Sequence, residues 1–373
     1  MNRRKKVLIL SRWYYPIKNP RAFRTTELLQ ELYRRGKYDV TAVLPNFADL
    51  QNCGADVHFI PTISVPAKCA KNGSISFKYT ILEYIRTIFR FLVGDSPGNV
   101  LYSFRLYFML RKLLKKDAYD VVISISFPFY VHIAVALAMQ HAQKKSISIA
   151  DCGDPFYVNP SCKKAFYLKW VEKYFLGKFD YVTIPMEAAR ESYADYGIDD
   201  RIRIIPQGFA ITQIADDTYR KNPVPMFCFA GMLYEKIRNP RYFLDYLLQL
   251  KQDFVFVVYA LPDAFTLQLL EEYKKKQGDR LEIREPLPRE ELVHVMATME
   301  FVVNFDNENS NQKPSKLIDY AMSKRPILSF NSQTFKAEVF EEFLHGDYTN
   351  QEQIDLAQYD IRTVVDKFEE LFS

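Results

Sequence analysis

The residues with the clearest chemical pattern lie between Asn311 and Leu328, reading Asn-Gln-Lys-Pro-Ser-Lys-Leu-Ile-Asp-Tyr-Ala-Met-Ser-Lys-Arg-Pro-Ile-Leu. Pro314 suits the first position of a helix, where its missing N–H costs no hydrogen bond. Ser315, Lys316 and the free backbone N–H groups then sit at the positive end of that helix, which attracts phosphate. Asp319 follows Lys316 by three residues, on the same side and one turn deeper. A cation at a helix start with a carboxylate one turn away suits a nucleoside diphosphate and its ribose. A capped surface helix with incidental charges shows the same pattern, so the surrounding elements have to decide.

Those elements alternate. Phe301–Phe305 and Ile327–Phe330 read as strands on either side of the helix, which Arg325-Pro326 stops. At the other end of the chain, Lys5–Leu10 is a short apolar run, followed by a loop over 11–20 and a helix over Arg21–Arg35 with Leu28, Leu29 and Leu32 on one face. Gly36 ends that helix and Tyr38–Leu44 is the next strand. Strand, loop, helix, strand opens a doubly wound α/β sheet, which places the 11–24 loop at the ligand-binding carboxyl ends of the strands. No Gly-x-Gly-x-x-Gly fingerprint is present. The alternation continues through strands at 121–126, 146–150, 179–184 and 202–205, with helices over Tyr130–Gln143 and Met186–Tyr196. After a turn-rich segment at 207–225 it resumes with strands at 226–230, 254–259 and 281–284. Residues 352–373 read as a last amphipathic helix.

Pro314-Ser-Lys-Leu-Ile-Asp-Tyr320 resembles the donor-site segment of the retaining glycosyltransferases of family 4, which have the GT-B fold. The resemblance implies two Rossmann-like domains facing a cleft: an acceptor-binding domain over 1–206, a nucleotide-sugar-binding domain over 207–351, and a C-terminal helix over 352–373 crossing back to the first. It implies that Lys316 contacts the diphosphate and Asp319 the ribose hydroxyls. The family's Glu-x7-Glu pair is here Asn311 and Asp319, so the grip on the sugar ring differs. Gly231-Met-Leu-Tyr-Glu-Lys-Ile-Arg238 is similar to the family's loop carrying cations for the departing diphosphate, with Lys236 and Arg238 as candidates and Arg238 favoured for its planar fork. Pro286–Leu292 resembles the turn that contacts the base. In the first domain Arg24 matches an arginine at the start of the first helix, and Asp151-Cys-Gly-Asp-Pro-Phe156 resembles a segment that puts Asp154 beside the acceptor. A solvated arginine and a helix-capping aspartate are the alternatives for those two. The expected reaction moves a hexose from a nucleotide sugar to a glycan or lipid-linked acceptor with retention, in cell-surface polysaccharide synthesis. Arg238 and Lys316 would stabilise the leaving group, with no cofactor and no metal ion.

Composition bounds the rest. The chain has 373 residues, 48% of them hydrophobic and 15% aromatic, enough for two domains. Its five cysteines form no Cys-x-x-Cys pair, so neither a zinc site nor a disulfide framework is expected, and a reduced cytoplasmic setting fits. Four apolar residues after the basic N-terminus are too few for a signal peptide. Asp-x-Asp is absent; Asp306-Asn-Glu308 reads as a solvated loop. The net charge of +5 divides into +13 over residues 1–205 and −8 over the rest. Two stretches, 77–117 and 163–178, interleave Lys and Arg with Phe, Tyr and Trp. This suits peripheral attachment to an anionic membrane surface better than nucleic acid, of which there is no motif; a solvated basic face is the plainer reading. Two rivals remain. A non-hydrolysing UDP-sugar epimerase of the same fold needs acid–base groups that five scattered histidines do not supply, and a non-catalytic GT-B binding protein takes its support from Asn311.

Overall fold

The computed structural model describes residues 3–17, 19–47, 55–62, 77–159, 163–260, 262–307 and 316–373, and only the backbone of 77–83. The chain forms two compact units, Met1–Ala210 with Gln358–Ser373, and Ile211–Ala357.

The first unit contains β1 (Lys5–Ser11), α1 (Pro20–Arg35), β2 (Tyr38–Pro45), β3 (Asp56–Ile60), α2 (Phe77–Val93), α3 (Pro97–Lys116), β4 (Val121–Ile125), α4 (Tyr130–Met139), β5 (Ile147–Asp151), α5 (Leu168–Leu176), β6 (Tyr181–Ile184) and β7 (Ile202–Ile204). Its sheet has the order β3-β2-β1-β4-β5-β6-β7. The described pairings are parallel, and strand direction in sequence reverses between β1 and β4. That reversal opens a crevice at the carboxyl ends of β1 and β4. α1 starts where Asn19 accepts from the Ala22 N–H at 2.8 Å and Pro20 follows, and it ends at Gly36, whose φ of 62° is left-handed. Its leucines cover one face of the sheet together with Val364, Val365 and Phe368; the other face is covered from α3 and α4.

The second unit contains β8 (Met226–Gly231), α6 (Arg241–Gln249), β9 (Val255–Ala260), α7 (Ala264–Gln277), β10 (Leu281–Arg284), α8 (Arg289–Met296), β11 (Phe301–Phe305), α9 (Lys316–Met322), β12 (Ile327–Phe330) and α10 (Ala337–His345), in the sheet order β10-β9-β8-β11-β12. Here the reversal falls between β8 and β11. Much of the chain's aromatic content sits in this core: the Phe227 ring stacks on Phe256 at 4.9 Å and on Phe301 at 4.8 Å, with Phe340 edge-on at 5.3 Å.

Four expectations change. The stretch 77–116, whose long helical pattern reads as one helix or a packed pair, is two helices, broken at Gly94-Asp95-Ser96, where the Ser96 hydroxyl caps α3 and Pro97 takes its first turn. The helix expected to reach Gln143 stops at Met139, and Glu187–Tyr196 is a 3-10 helix. The single helix expected over 352–373 is instead a 3-10 turn, Leu356–Tyr359, and α11 (Ile361–Glu369), capped by Asp360 and packed on α1 within the first unit. β3 and α10 had no counterpart in the sequence reading.

Candidate active site

The end of β8 and the start of α9 meet at the switch point of the second unit. Gly231 closes β8 with φ 149°, a conformation side chains rarely adopt, and a Cβ there would come within 3.3 Å of Lys316 Cδ. The missing side chain is what lets Lys316 lie along the strand end. Tyr320, one turn further along α9, locks the pair: its hydroxyl accepts from the Ala230 N–H at 3.0 Å and donates to the Ala230 carbonyl at 2.7 Å.

The Lys316 ammonium is buried and has no hydrogen-bond partner among the described residues. It lies 4.1 Å from the centre of the Phe229 ring. Burial, and next the neighbouring Arg238, hold its pKa well below the ordinary lysine value, against the pull of Asp306. Arg238 is presented by the loop after β8, where Tyr234 and Arg238 pair as a short antiparallel bridge. Its guanidinium donates to the Met232 carbonyl at 3.2 Å and to Asn307 Oδ1 at 2.8 Å, while Nε is buried with no partner among the described residues. Two partly desolvated cations thus stand together at one strand end, a costly arrangement unless an anion completes it. Lys236, the other candidate, lies on the exposed tip of that loop. Asn311 and Ser315 lie outside the described residues.

Asp306 corrects the reading of a solvated loop. It is half-buried at the end of β11, accepts from Asn304 Nδ2 at 2.6 Å and acts electrostatically on both cations; burial raises its pKa. Asp319 accepts from Arg289 Nε at 2.6 Å, and burial raises its pKa as well. Arg289 was missed as a partner, although it stands in the Pro286–Leu292 turn. The Asp319–Arg289 pair can accept from a hydroxyl and donate to a carbonyl or phosphate oxygen.

In the first unit the structure places Arg24 within the framework and Asp154 at the surface. Arg24 is 1% exposed, and its guanidinium is saturated: it donates to both Asp151 oxygens at 2.8 and 3.1 Å and to the Pro206 carbonyl at 2.7 Å. It holds the first loop from beneath and has no fork left for an acceptor. Within Asp151–Phe156 the organising carboxylate is Asp151, which also takes Arg21 Nη2 at 2.5 Å and Thr183 Oγ1 at 2.7 Å. Asp154 is exposed. No group of three or more possible metal ligands occurs among the described residues. Of the histidines, His132 is buried between Ser124 and Cys152, and burial pushes its pKa down to about 3.

Two parallel, doubly wound units in one chain, one with paired, partly desolvated cations at its switch point, define a GT-B protein. The sequence profile of Glycosyltransferase Family 4 matches residues 22–213, just over half of the chain, and the chain belongs to that family. No curated protein sequence matches it. Among solved structures, Anabaena Alr3699/HepE in complex with UDP is similar at 12% identity with a TM-score of 0.61, over 98% of each chain. A glycosyltransferase from Rickettsia africae reaches 0.61 at 11% identity, over 100% of this chain and 95% of its own. The UDP-GlcNAc 2-epimerase of Methanocaldococcus jannaschii reaches 0.50 at 13% identity, over 99% and 93%. At these identities the likeness is one of fold.

Proposed function

We propose that the protein transfers a hexose, with retention, from a uridine diphosphate sugar to a glycan or lipid-linked acceptor in cell-surface polysaccharide synthesis, at the cytoplasmic face of a membrane. The observation that carries this reading is the buried Lys316 ammonium beside Arg238, without a hydrogen-bond partner among the described residues. As the bond from the anomeric carbon to the diphosphate breaks, negative charge builds on the leaving oxygen, and fixed cations in a dry site stabilise that charge more than the ground state. Asp319 with Arg289 holds the nucleoside. That HepE was solved with UDP-glucose supports uridine as the base. Retention follows the family's chemistry, with the acceptor hydroxyl attacking on the face the diphosphate leaves. Two cations do the work a metal does in other transferases, so EDTA is expected to leave the rate unchanged.

Incubation with UDP-glucose and no acceptor is expected to release UDP slowly, and NMR of the products is expected to show an α-anomer formed first. Epimerised sugar nucleotide without UDP release would make the protein an isomerase. Abolition by EDTA with rescue by Mn²⁺ would replace the cation mechanism with one centred on Asp306.

Membrane attachment is supported by the first unit. From Tyr84 onward almost every side chain of α2 is exposed, with Tyr84, Ile85, Ile88, Phe91 and Leu92 on one side and Arg86 and Arg90 on the other. Residues before and within α5 extend this surface, since the Ala165 N–H donates to the Phe91 carbonyl at 2.9 Å, and Phe166 and Trp170 are 77% and 69% exposed. No helix among the described residues is long and apolar enough to span a bilayer. Aromatic side chains that insert shallowly, flanked by cations worth about 1 kcal/mol each near an anionic surface, give salt-sensitive binding. The basic end of α3, by contrast, lies toward the amino ends of the strands, where Asp117 pairs with Lys6 at 3.1 Å. The expected result is sedimentation with anionic vesicles at low salt, lost when Phe166→Ser, Trp170→Ser and Arg90→Glu are combined. Wild-type protein left in the supernatant would sink the membrane assignment.

A further inference from the structure

Arg12 is the first residue after β1, at the carboxyl end where the sheet order reverses. It is 9% exposed, and its Nε and Nη1 are buried with no hydrogen-bond partner among the described residues. Three rings hold the guanidinium instead, with centres 4.7 Å away in Trp13, 5.0 Å in Tyr102 and 5.4 Å in Phe47. Tyr102 is itself fixed by donating to the Ser11 carbonyl at 2.5 Å. Asp95 is within electrostatic reach, but its Oδ1 is taken by the Ser96 N–H at 2.6 Å and Asn99 Nδ2 at 2.8 Å, and its Oδ2 has no partner among the described residues.

The contrast with Arg24 makes the point. Both arginines flank the same loop and both are buried, yet Arg24 is held by protein acceptors and Arg12 has a planar guanidinium whose Nε and Nη1 no described residue completes. Aromatic faces orient such a fork but cannot accept its N–H groups. A buried cation left in that state costs stability unless a ligand anion is the missing partner. The geometry points to Arg12 as the phosphate-binding residue of the acceptor site, taking a phosphate or diphosphate ester through two N–H groups. Asp95 follows the end of α2 by two residues, so the phosphate lies at the foot of the exposed apolar helix, where an acyl or isoprenoid chain attached to it would rest. This inference rests on the transferase reading and names its acceptor as a lipid phosphate.

Trp13 reports on the site directly. With Trp170→Phe removing the only other tryptophan, Trp13 fluorescence is expected to change saturably with geranyl diphosphate and not with geraniol. Arg12→Met is expected to weaken that binding about tenfold or more, as loss of a charged hydrogen bond does, and Arg12→Lys by less. Lys316→Met, which disables the donor side, is expected to leave the Trp13 titration unchanged. Failure of the transferase reading would therefore show in UDP binding and turnover, and failure of this one in the Trp13 titration. Inorganic pyrophosphate and glucose 1-phosphate separate the sources: weaker binding than geranyl diphosphate fits a lipid phosphate, whereas equal binding overturns the lipid part. No saturable signal, or geranyl diphosphate affinity unchanged in Arg12→Met, overturns the site. The melting temperature of Arg12→Met is expected to be unchanged or higher; a marked fall would show that the guanidinium is structural, and would overturn it too.

Discussion

On the proposed transferase reading, replacing Lys316 by Met is expected to lower kcat for sugar transfer by about 10²–10³-fold, the loss expected when one preorganised group stabilising transition-state charge is removed. The change in donor KM is smaller, because the leaving oxygen is more negative in the transition state than in the bound donor. The fold is expected to survive: the ammonium has no hydrogen bond to lose among the described residues and sits on an aromatic ring that a thioether also fills. Its folded-state pKa is depressed, so the unfolded chain binds the proton more tightly, and stability rises with pH between the depressed value and the ordinary lysine value. Removing the charge is therefore expected to leave the melting temperature unchanged or raise it. A bound diphosphate has the opposite effect on the same group and raises its pKa. UDP binding at a pH between the depressed value and the ordinary lysine value of about 10.4 is expected to take up a proton, and affinity is expected to fall as pH rises further. Calorimetry in two buffers of different ionisation heat measures the uptake. An uptake that persists in Lys316→Met would assign the proton elsewhere, and an unchanged kcat would remove Lys316 from the chemistry.

The alternation of strand and helix was legible because apolar runs are short and separated by polar turns; β10, β11 and β12 fall where periodicity puts them. The break between α2 and α3 was also written in the chain, in Gly94 and Pro97, but a continuous run of Phe, Leu and Tyr masked it. The charged side chains gathered at the end of β8 stand out in the sequence for a local reason: Lys316 and Asp319 belong to one helix, and Arg238 to a loop directly after a strand. Their partners do not. Asp306, Arg289 and Phe229 reach the site from three other segments, and spacing along a chain does not say which strand ends converge. The arginines of the first loop show the same limit. Arg24 meets a carboxylate 127 residues away and becomes part of the framework, while Arg12 is held by rings and leaves Nε and Nη1 without a partner among the described residues. Nothing local distinguishes them, and the sequence pattern favoured Arg24.

Asp151 is where that framework is most exposed to substitution. Asp151→Ala is expected to destabilise the first unit by about 3–5 kcal/mol, the cost of removing one member of a buried ion pair and leaving the other uncompensated. Arg24 would keep its bond to the Pro206 carbonyl but lose both carboxylate contacts, Thr183 would lose its acceptor, and Arg21 would retain only backbone carbonyls. Burial alone would raise the Asp151 pKa, but Arg24, Arg21 and the Thr183 hydroxyl outweigh it and hold the carboxyl well below the usual range. Because the folded-state value is depressed, the stabilisation is fully present above the unfolded value of about 3.9 and is lost as pH falls toward the folded one. Wild-type stability in urea is thus expected to decline with acid below about pH 5, and the Asp151→Ala protein to lack that part of the decline. Combining Asp151→Leu with Arg24→Met, which removes both charges, is expected to recover most of the loss, since apolar replacements of a buried pair are often neutral. A single mutant that loses less than about 1 kcal/mol would mean that the pair is no stronger than a surface ion pair. A double mutant no better than the single one would mean that the hydrogen bonds to Thr183 and Pro206, and not the buried charges, hold the loop.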